Sequence, residues 1–274
     1  MLNKEKKQYI LMLLPLILLT KADSKSRITG MRTVFIADAH LENPSDTNYL
    51  LLLAFLEELQ GKTETLYIMG DLFDFWLGFP ENPFRQYDPV IEALVLLHRS
   101  GCRIVYFEGN HDFHLGAVFR EKIKAKVHRY PAGATIQGRR LYLCHGDQIN
   151  RSDYGYLALR ALTHNAAVGS LVNLLPPALA MKAREVLQRI SKKGYAEKNA
   201  RWNHHDVIGS FAERVRGEGY DGLVCGHFHL AMCEKYQAPD FTLLSLGDWI
   251  DSFTYGEMID GELFLRSYSP IDAI

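Results

Sequence analysis

The chain has 274 residues, and 31 Lys and Arg against 32 Asp and Glu leave a formal charge of −1. With 47% hydrophobic and 23% charged residues, it is not a disordered chain, a collagen-like repeat or a polytopic membrane protein. The near-neutral balance lacks the positive field that bulk nucleic-acid binding needs, so no nucleic-acid partner is expected. In chain order, Lys4, Lys6 and Lys7 precede an apolar run at 9–19, interrupted by Pro15 and followed by a polar stretch at 21–30. That run is too short to cross a roughly 30 Å hydrocarbon core as a helix. Two readings stay open for residues 1–30. One is a signal-like or anchoring segment with Thr20-Lys21-Ala22 as a poor cleavage site; the other is a dispensable extension ahead of a start at Met31. Either way the main domain is expected at 31–274.

A strand is predicted at 33–37, a helix at 50–59 and a second strand at 66–69. Pro89 opens a helix at 89–99 that Gly101 ends, and 103–108 is the next strand. Residues 134–137 and 140–144 flank Gly138-Arg139 as a hairpin. Residues 153–193 are helical in character with a break at Pro176-Pro177, and 203–218 form a helix ended by Gly219. Late strands are predicted at 223–225, 241–246 and 262–267. Strand and helix alternate early and strands dominate late, which predicts an α/β core with a helical insertion at about 153–200. Cys102, Cys144 and Cys225 lie in or beside apolar runs, as buried thiols of a reducing compartment do. The four Cys form no C-x-x-C pair, so neither a disulfide framework nor a cysteine-ligated zinc site is expected.

Five of the predicted strands run directly into polar clusters. These are Asp38-Ala39-His40, Gly70-Asp71-Leu72-Phe73-Asp74, Gly109-Asn110-His111-Asp112, His145-Gly146-Asp147 and Gly226-His227-Phe228-His229. Sites in open α/β sheets form at the carboxyl ends of strands, where loops distant in sequence converge. Oxygen donors mixed with imidazoles suit Mn, Fe or Zn. The glycines beside the clusters let backbone turn sharply around a site.

In this order the clusters match the pattern D-x-H, G-D-x-x-[DE], G-N-H-[DE], H-G-[DH], G-H-x-H, and the chain resembles the calcineurin-like metallophosphoesterases over residues 31–270. The resemblance implies a four-layer α/β/β/α sandwich with two divalent metal ions, Mn2+ being expected and Fe or Zn compatible. It implies that Asp38, His40, Asp71 and His229 bind one ion, and that Asp71, Asn110, His145 and His227 bind the other. A shared carboxylate would hold the ions about 3.5–4 Å apart, with a bridging hydroxide as nucleophile. His111 is then placed to protonate a leaving oxygen or stabilise charge on phosphorus. Asp112 either orients His111 or caps the segment that follows.

Within that family, local details are similar to the UDP-2,3-diacylglucosamine diphosphatases of lipid A synthesis, which release UMP and 2,3-diacylglucosamine 1-phosphate. They include residues 35–40, 66–76 and 109–116, and His145-Gly146-Asp147 followed by Asp153-Tyr154-Gly155-Tyr156. The insertion, with Leu157, Leu162, Leu171, Leu174, Leu175 and Leu179, falls where that group carries an acyl-chain lid. The resemblance implies substrate contacts from Asn110, His111, Asp153, Tyr156, Ser191, Lys198 and His227. It departs from the group at His111, where Arg is usual, and at Gln188 and Tyr195, where Arg and Asn stand; Arg189 is one residue off. The Leu set joined to Lys182, Arg184, Arg189, Lys192, Lys193 and Lys198 makes a basic amphipathic element. It is either lipid-facing or packed core with a solvated face. The expected function is hydrolysis of a lipid-linked nucleotide diphosphate by an enzyme held peripherally on the cytoplasmic face of the inner membrane. The alternative is a phosphoesterase of the same superfamily acting on a soluble nucleotide or phosphodiester.

Overall fold

A computed structural model describes residues 32–79, 83–172 and 202–269, together with Lys182. Two sheets organise these residues. The six-stranded sheet runs β13 (Glu262–Ser267), β12 (Thr254–Ile259), β1 (Thr33–Ile36), β2 (Thr65–Ile68), β4 (Arg103–Phe107) and β6 (Lys126–His128). The five-stranded sheet runs β10 (Ala231–Tyr236), β11 (Phe241–Leu246), β9 (Gly222–Cys225), β8 (Arg139–Leu143) and β7 (Ala132–Ile136). A two-stranded ribbon pairs β3 (Trp76–Leu77) with β5 (Asp112–Phe113). The described α-helices are α1 (Thr47–Glu58), α2 (Asp88–Arg99), α3 (Tyr154–Thr163), α4 (Ala166–Val172) and α5 (His204–Gly217).

Side-chain alternation along the strands fixes the layering. Val34 and Ile36 of β1 face one way and pack with Leu52, Phe55 and Leu56 of α1 and Ile91 and Leu94 of α2. Phe35 and Ala37 face the other way, onto Leu141, Leu143, Val224 and Leu244 of the second sheet. Leu223, Cys225, Phe241 and Leu243 turn from that sheet toward Ile208, Phe211 and Val215 of α5. Helix, sheet, sheet and helix therefore follow one another as an α/β/β/α sandwich. The fully buried strands read as continuous apolar runs because both of their faces are covered.

The parallel strands position the site. β1, β2 and β4 are parallel neighbours, as are β8, β9 and β11. In each sheet, strand carboxyl ends are thus aligned at one edge.

The strands β3, β5, β6, β10 and β12 were not predicted. Two are two-residue segments, and β10 exposes every second residue, which dilutes its apolar signal. The helical stretch predicted from 153 breaks at His164 and Asn165 between α3 and α4. Residues 1–30, Pro176-Pro177, Leu174, Leu175, Leu179, Gln188, Ser191, Tyr195 and Lys198 lie outside the described residues, as do Arg184, Arg189, Lys192 and Lys193. Cys102, Cys144 and Cys225 are buried free thiols, and Cys233 is exposed. No helix among the described residues is long and apolar enough to cross a membrane.

Candidate active site

The five clusters meet where the two sheets' strand ends face each other, and the backbone there is forced into an uncommon conformation. Asp38, His40, Asp71, His227 and His229 all have positive φ, between 42° and 71°. Non-glycine residues rarely adopt this left-handed region, which costs of order 1–3 kcal/mol each. Strand hydrogen bonding stops there and the loop amides are spent locally: Asp38 N donates to Gly70 O, and His40 N donates to Asp71 O. Two glycines permit the resulting close approach. A Cβ on Gly109 would sit 2.1 Å from Asp71 Oδ1, and one on Gly226 would sit 2.5 Å from Asp38 Oδ2.

The side chains form two donor groups, Asp38 with His40 and His229, and Asp71 with His145 and His227. Asp71 faces both, its Oδ2 lying 3.8 Å from His40 Nε2 and 3.3 Å from His145 Nε2. His229 Nε2 and His40 Nε2 are 3.8 and 3.9 Å from Asp38 Oδ1. Asn110 Oδ1 lies 3.1 Å from His145 Nε2. A third group, His40, Asp74 and His111, shares His40 with the first.

This donor set fits divalent cations on three observations. Most of these separations are long for hydrogen bonds but ordinary for two ligands of one ion, each about 2 Å from it. Asp38 Oδ1 and His40 Nε2 are buried without a hydrogen-bond partner, which is costly unless a cation completes them. His145 Nδ1 is 2.8 Å from the Met69 carbonyl, an arrangement that keeps its proton there and leaves the Nε2 lone pair aimed at Asp71 and Asn110.

The electrostatics agree. Burial pushes His40 and His227 down to about 3, so both imidazoles are neutral and free to ligate. Burial also lowers His229. Burial disfavours charge on His145, yet the Asp71 charge and hydrogen bond, with Asp38, raise it to about 10, so without a metal its Nε2 carries a proton that a cation beside Asp71 would displace. Burial opposes ionisation of Asp71 too, but His145, His111 and His40 hold it well below the carboxylate range. Burial, reinforced by Asp71, pushes Asp38 up. The buried carboxylates call for positive charge at the point where the imidazole nitrogens gather.

His111 stands apart from the two principal groups. Its Nδ1 is 2.8 Å from the Asp74 carbonyl, and its amide donates to Asp71 Oδ1 at 2.8 Å. Its ring meets His40 edge-on at 4.6 Å.

Asp112 does something neither sequence reading gave it. Its carboxylate accepts from the amides of Asp71 (3.0 Å), Leu72 (2.6 Å), Phe73 (3.3 Å) and Gly109 (3.0 Å) and from the Tyr106 hydroxyl (2.5 Å). It therefore staples the loop after β2 to the loop after β4, and its oxygens are occupied by these groups rather than by His111. Burial and the charge of Asp71 raise it to about 7 against these hydrogen bonds.

Of the remaining substrate positions, Asp153 accepts from Tyr156 N as the N-cap of α3. Tyr156 donates its hydroxyl to Asp147 Oδ2 at 2.7 Å, and its ring lies 6.2 Å from that of His227. Ser191 and Lys198 lie outside the described residues. Sequence reasoning gave no role to Asp147, Arg160, His164 or Asp248. Arg160 pairs with Asp147 through Nε. His164 Nε2 is 3.1 Å from the Gly109 carbonyl. Asp248 accepts from the amides of Ile250, Asp251 and Ser252. Asp147 was legible in its motif; Arg160 and His164, on or beside a helix, carried no sequence signal.

The family profile of the calcineurin-like phosphoesterases matches residues 31–231. The UDP-2,3-diacylglucosamine hydrolase of Haemophilus influenzae is 31% identical over 218 residues, 78% of this chain and 89% of that protein. Its namesake from Stenotrophomonas maltophilia is 33% identical over 230 residues, 81% of this chain and 92% of that protein. Among solved structures, an archaeal phosphodiesterase superposes with a TM-score of 0.45 at 14% identity, covering 87% of this chain and all of the other.

Proposed function

The chain belongs to the calcineurin-like phosphoesterases, and from that premise we propose that it hydrolyses the diphosphate of UDP-2,3-diacylglucosamine to UMP and 2,3-diacylglucosamine 1-phosphate. The observation that carries the chemistry is the double donor group, with Asp71 turned toward both halves. The observation that selects the substrate is the likeness to hydrolases of that name over most of both chains.

In this reading Asp38, His40, Asp71 and His229 hold one divalent ion, and Asp71, Asn110, His145 and His227 hold the other. Mn2+ is the preferred ion, and Fe and Zn suit the same donors. When bound, the ions supply an acidified water and positive charge against the phosphate oxygens. His111 is the residue that donates to an oxygen of the reacting phosphate. Its Nδ1 is committed to the Asp74 carbonyl, so Nε2 is the atom that faces substrate. Asn110, His227 and Tyr156 line the approach. Asp153 acts by capping the helix that carries Tyr156.

The substrate's acyl chains require a lipid-water boundary, and the protein is proposed to rest peripherally on the cytoplasmic face of the inner membrane. Tyr154 and Leu162 of α3, 78% and 65% exposed, support that contact. The test is direct. Purified protein, stripped and reloaded with Mn2+, is incubated with the lipid nucleotide in detergent micelles, and UMP is quantified. Release of UMP only in the reloaded sample is expected. A loaded enzyme that turns over soluble phosphodiesters and leaves the lipid nucleotide intact would move the assignment to the soluble-substrate alternative.

A further inference from the structure

Beside the proposed ligands, and outside them, sits a fully formed charged cluster. Arg160 of α3 and Asp147, two residues after His145, make an ion pair whose side chains are only 7% and 2% exposed. Arg160 Nη2 reaches the Arg129 carbonyl at 3.4 Å. The Gln148 amide lies 2.7 Å from Arg160 Nη2 and 3.1 Å from Nη1, and assigning its oxygen to that side lets it accept from both. The Asp147 oxygen that takes Arg160 Nε also accepts the Tyr156 hydroxyl. Tyr156 in turn packs near His227, whose ring is 5.1 Å from that of His145. One buried guanidinium thereby joins three places: helix α3, the loop bearing His145, and the turn before β7.

Burying a charged pair is a poor route to stability alone, because desolvation offsets most of the attraction. What such a pair does well is fix one arrangement, since a planar guanidinium satisfied on several sides tolerates little displacement. Here the groups it fixes are the helix proposed to meet substrate and the loop proposed to hold metal.

We infer that Arg160 is a positioning residue: acting through Asp147 and Tyr156, it locks α3 to the His145 loop, so that substrate seating and metal-ligand placement are set by one joint. The inference rests on the metal and substrate reading above for its functional meaning, while the joint itself is tested by metal binding alone.

Arg160→Ala would strand the Asp147 carboxylate in the interior and is expected to fold poorly, so it decides nothing by itself. The informative variant is Arg160→Met with Asp147→Asn, which removes both charges together and is far better tolerated. Thermal unfolding, metal binding by calorimetry, and kinetics on the lipid nucleotide are measured on the same preparations. A cooperative transition is expected, with metal affinity about 10-fold weaker or more, as for other partners that orient ligands. KM for the lipid nucleotide rises about 10-fold while kcat at saturating metal changes much less, the signature of lost seating rather than lost chemistry. Tyr156→Phe, which removes one donor from Asp147, should shift metal affinity in the same direction by less. A folded double variant with wild-type metal affinity and KM overturns the inference, and so does a kcat collapse at saturating metal. If the wild-type protein leaves the lipid nucleotide untouched, the substrate assignment fails, and the calorimetric arm still decides the joint.

Discussion

Asp71 shows how much one side chain can be asked to do. Its backbone is left-handed, Gly109 has no Cβ so that its carboxylate fits, and Oδ2 faces an imidazole from each donor group. Asp71→Asn keeps the shape and removes the charge; elemental analysis should then give less than about one metal per chain, with activity lost in step. Two metals in an inactive Asp71→Asn variant would sink the shared-carboxylate assignment. His111→Ala should instead retain metal and lose about 10²–10⁴ in turnover, the range for a general acid or charge-stabilising donor. Loss of metal in that variant would place His111 among the ligands. The clusters were legible in sequence because each directly follows an apolar strand. The partners of Asp112 were not, because its contacts with Asp71, Leu72 and Phe73 span 39 to 41 residues. His164, equally illegible, gives a prediction of its own. Burial, with Arg160 nearby, depresses it to about 4. The unfolded chain therefore binds a proton that the folded one refuses between about pH 6.5 and pH 4. Its contribution is complete above that window and is lost as pH falls through it, by roughly 3 kcal/mol at most. His164→Gln should flatten the acid side of the stability profile relative to wild type; unchanged slopes from pH 6.5 to 4 would show that another group dominates there.

At the scale of elements, the strands that carry the site are short, β1 and β9 are buried on both faces, and of the helices that cover the sheets α2 and α5 are amphipathic whereas α1 is apolar around most of its circumference. Pro89 in the first turn of α2 and Gly101 beyond its end mark that helix in the sequence and in the structure. The edge strand β10 escaped prediction because its alternating exposure dilutes its apolar signal, although it forms a hairpin with the next strand, β11; the ribbon of β3 and β5 escaped because it joins two-residue segments far apart in the sequence. Helix α3 is the element whose faces differ most in consequence. One face sends Arg160 inward to Asp147, and the opposite surface leaves Tyr154 and Leu162 in solvent. Sequence periodicity could not separate lipid-facing leucines from core, because a stripe at helical spacing looks the same in both. Leu162, 65% exposed, is not core, and the proposed membrane contact gives it a lipid-facing role. Leu162→Ser should leave thermal stability unchanged and weaken sedimentation with vesicles containing anionic lipid by about fivefold, since burying such a side chain contributes about 1 kcal/mol or more. Full retention of vesicle binding would assign the membrane contact to a surface other than α3.

For the whole molecule, the two sheets explain why the donors exist as a set. Neither sheet alone carries enough of them: the first supplies Asp38, His40, Asp71 and Asn110, and the second supplies His145, His227 and His229. The apolar seam between the sheets, built from Phe35, Met69, Phe107, Leu143 and Val224, therefore sets the distance between the halves of the site. Packing at this density transmits displacement, so the seam is as much a determinant of the donor geometry as the loops are. The linkage runs in the other direction as well. Without ions, burial and the charge of Asp71 push the Asp38 carboxyl up, against its ionisation, and two of the donor atoms have no partner. Ions that bind only the folded arrangement stabilise it by mass action, about 2.7 kcal/mol at a free concentration a hundred times Kd. For a domain of this size that corresponds to roughly 5–10 °C in Tm. Chelation should lower Tm by that order, and adding Mn2+ back should restore it, with the gain rising with the logarithm of metal concentration. The Asp71→Asn variant should show little of this response, because its donor halves no longer share a carboxylate. A wild-type Tm indifferent to chelator, in protein shown by elemental analysis to have lost its metal, would mean that the sheets hold the donors in place unaided and that metal affinity is decoupled from folding.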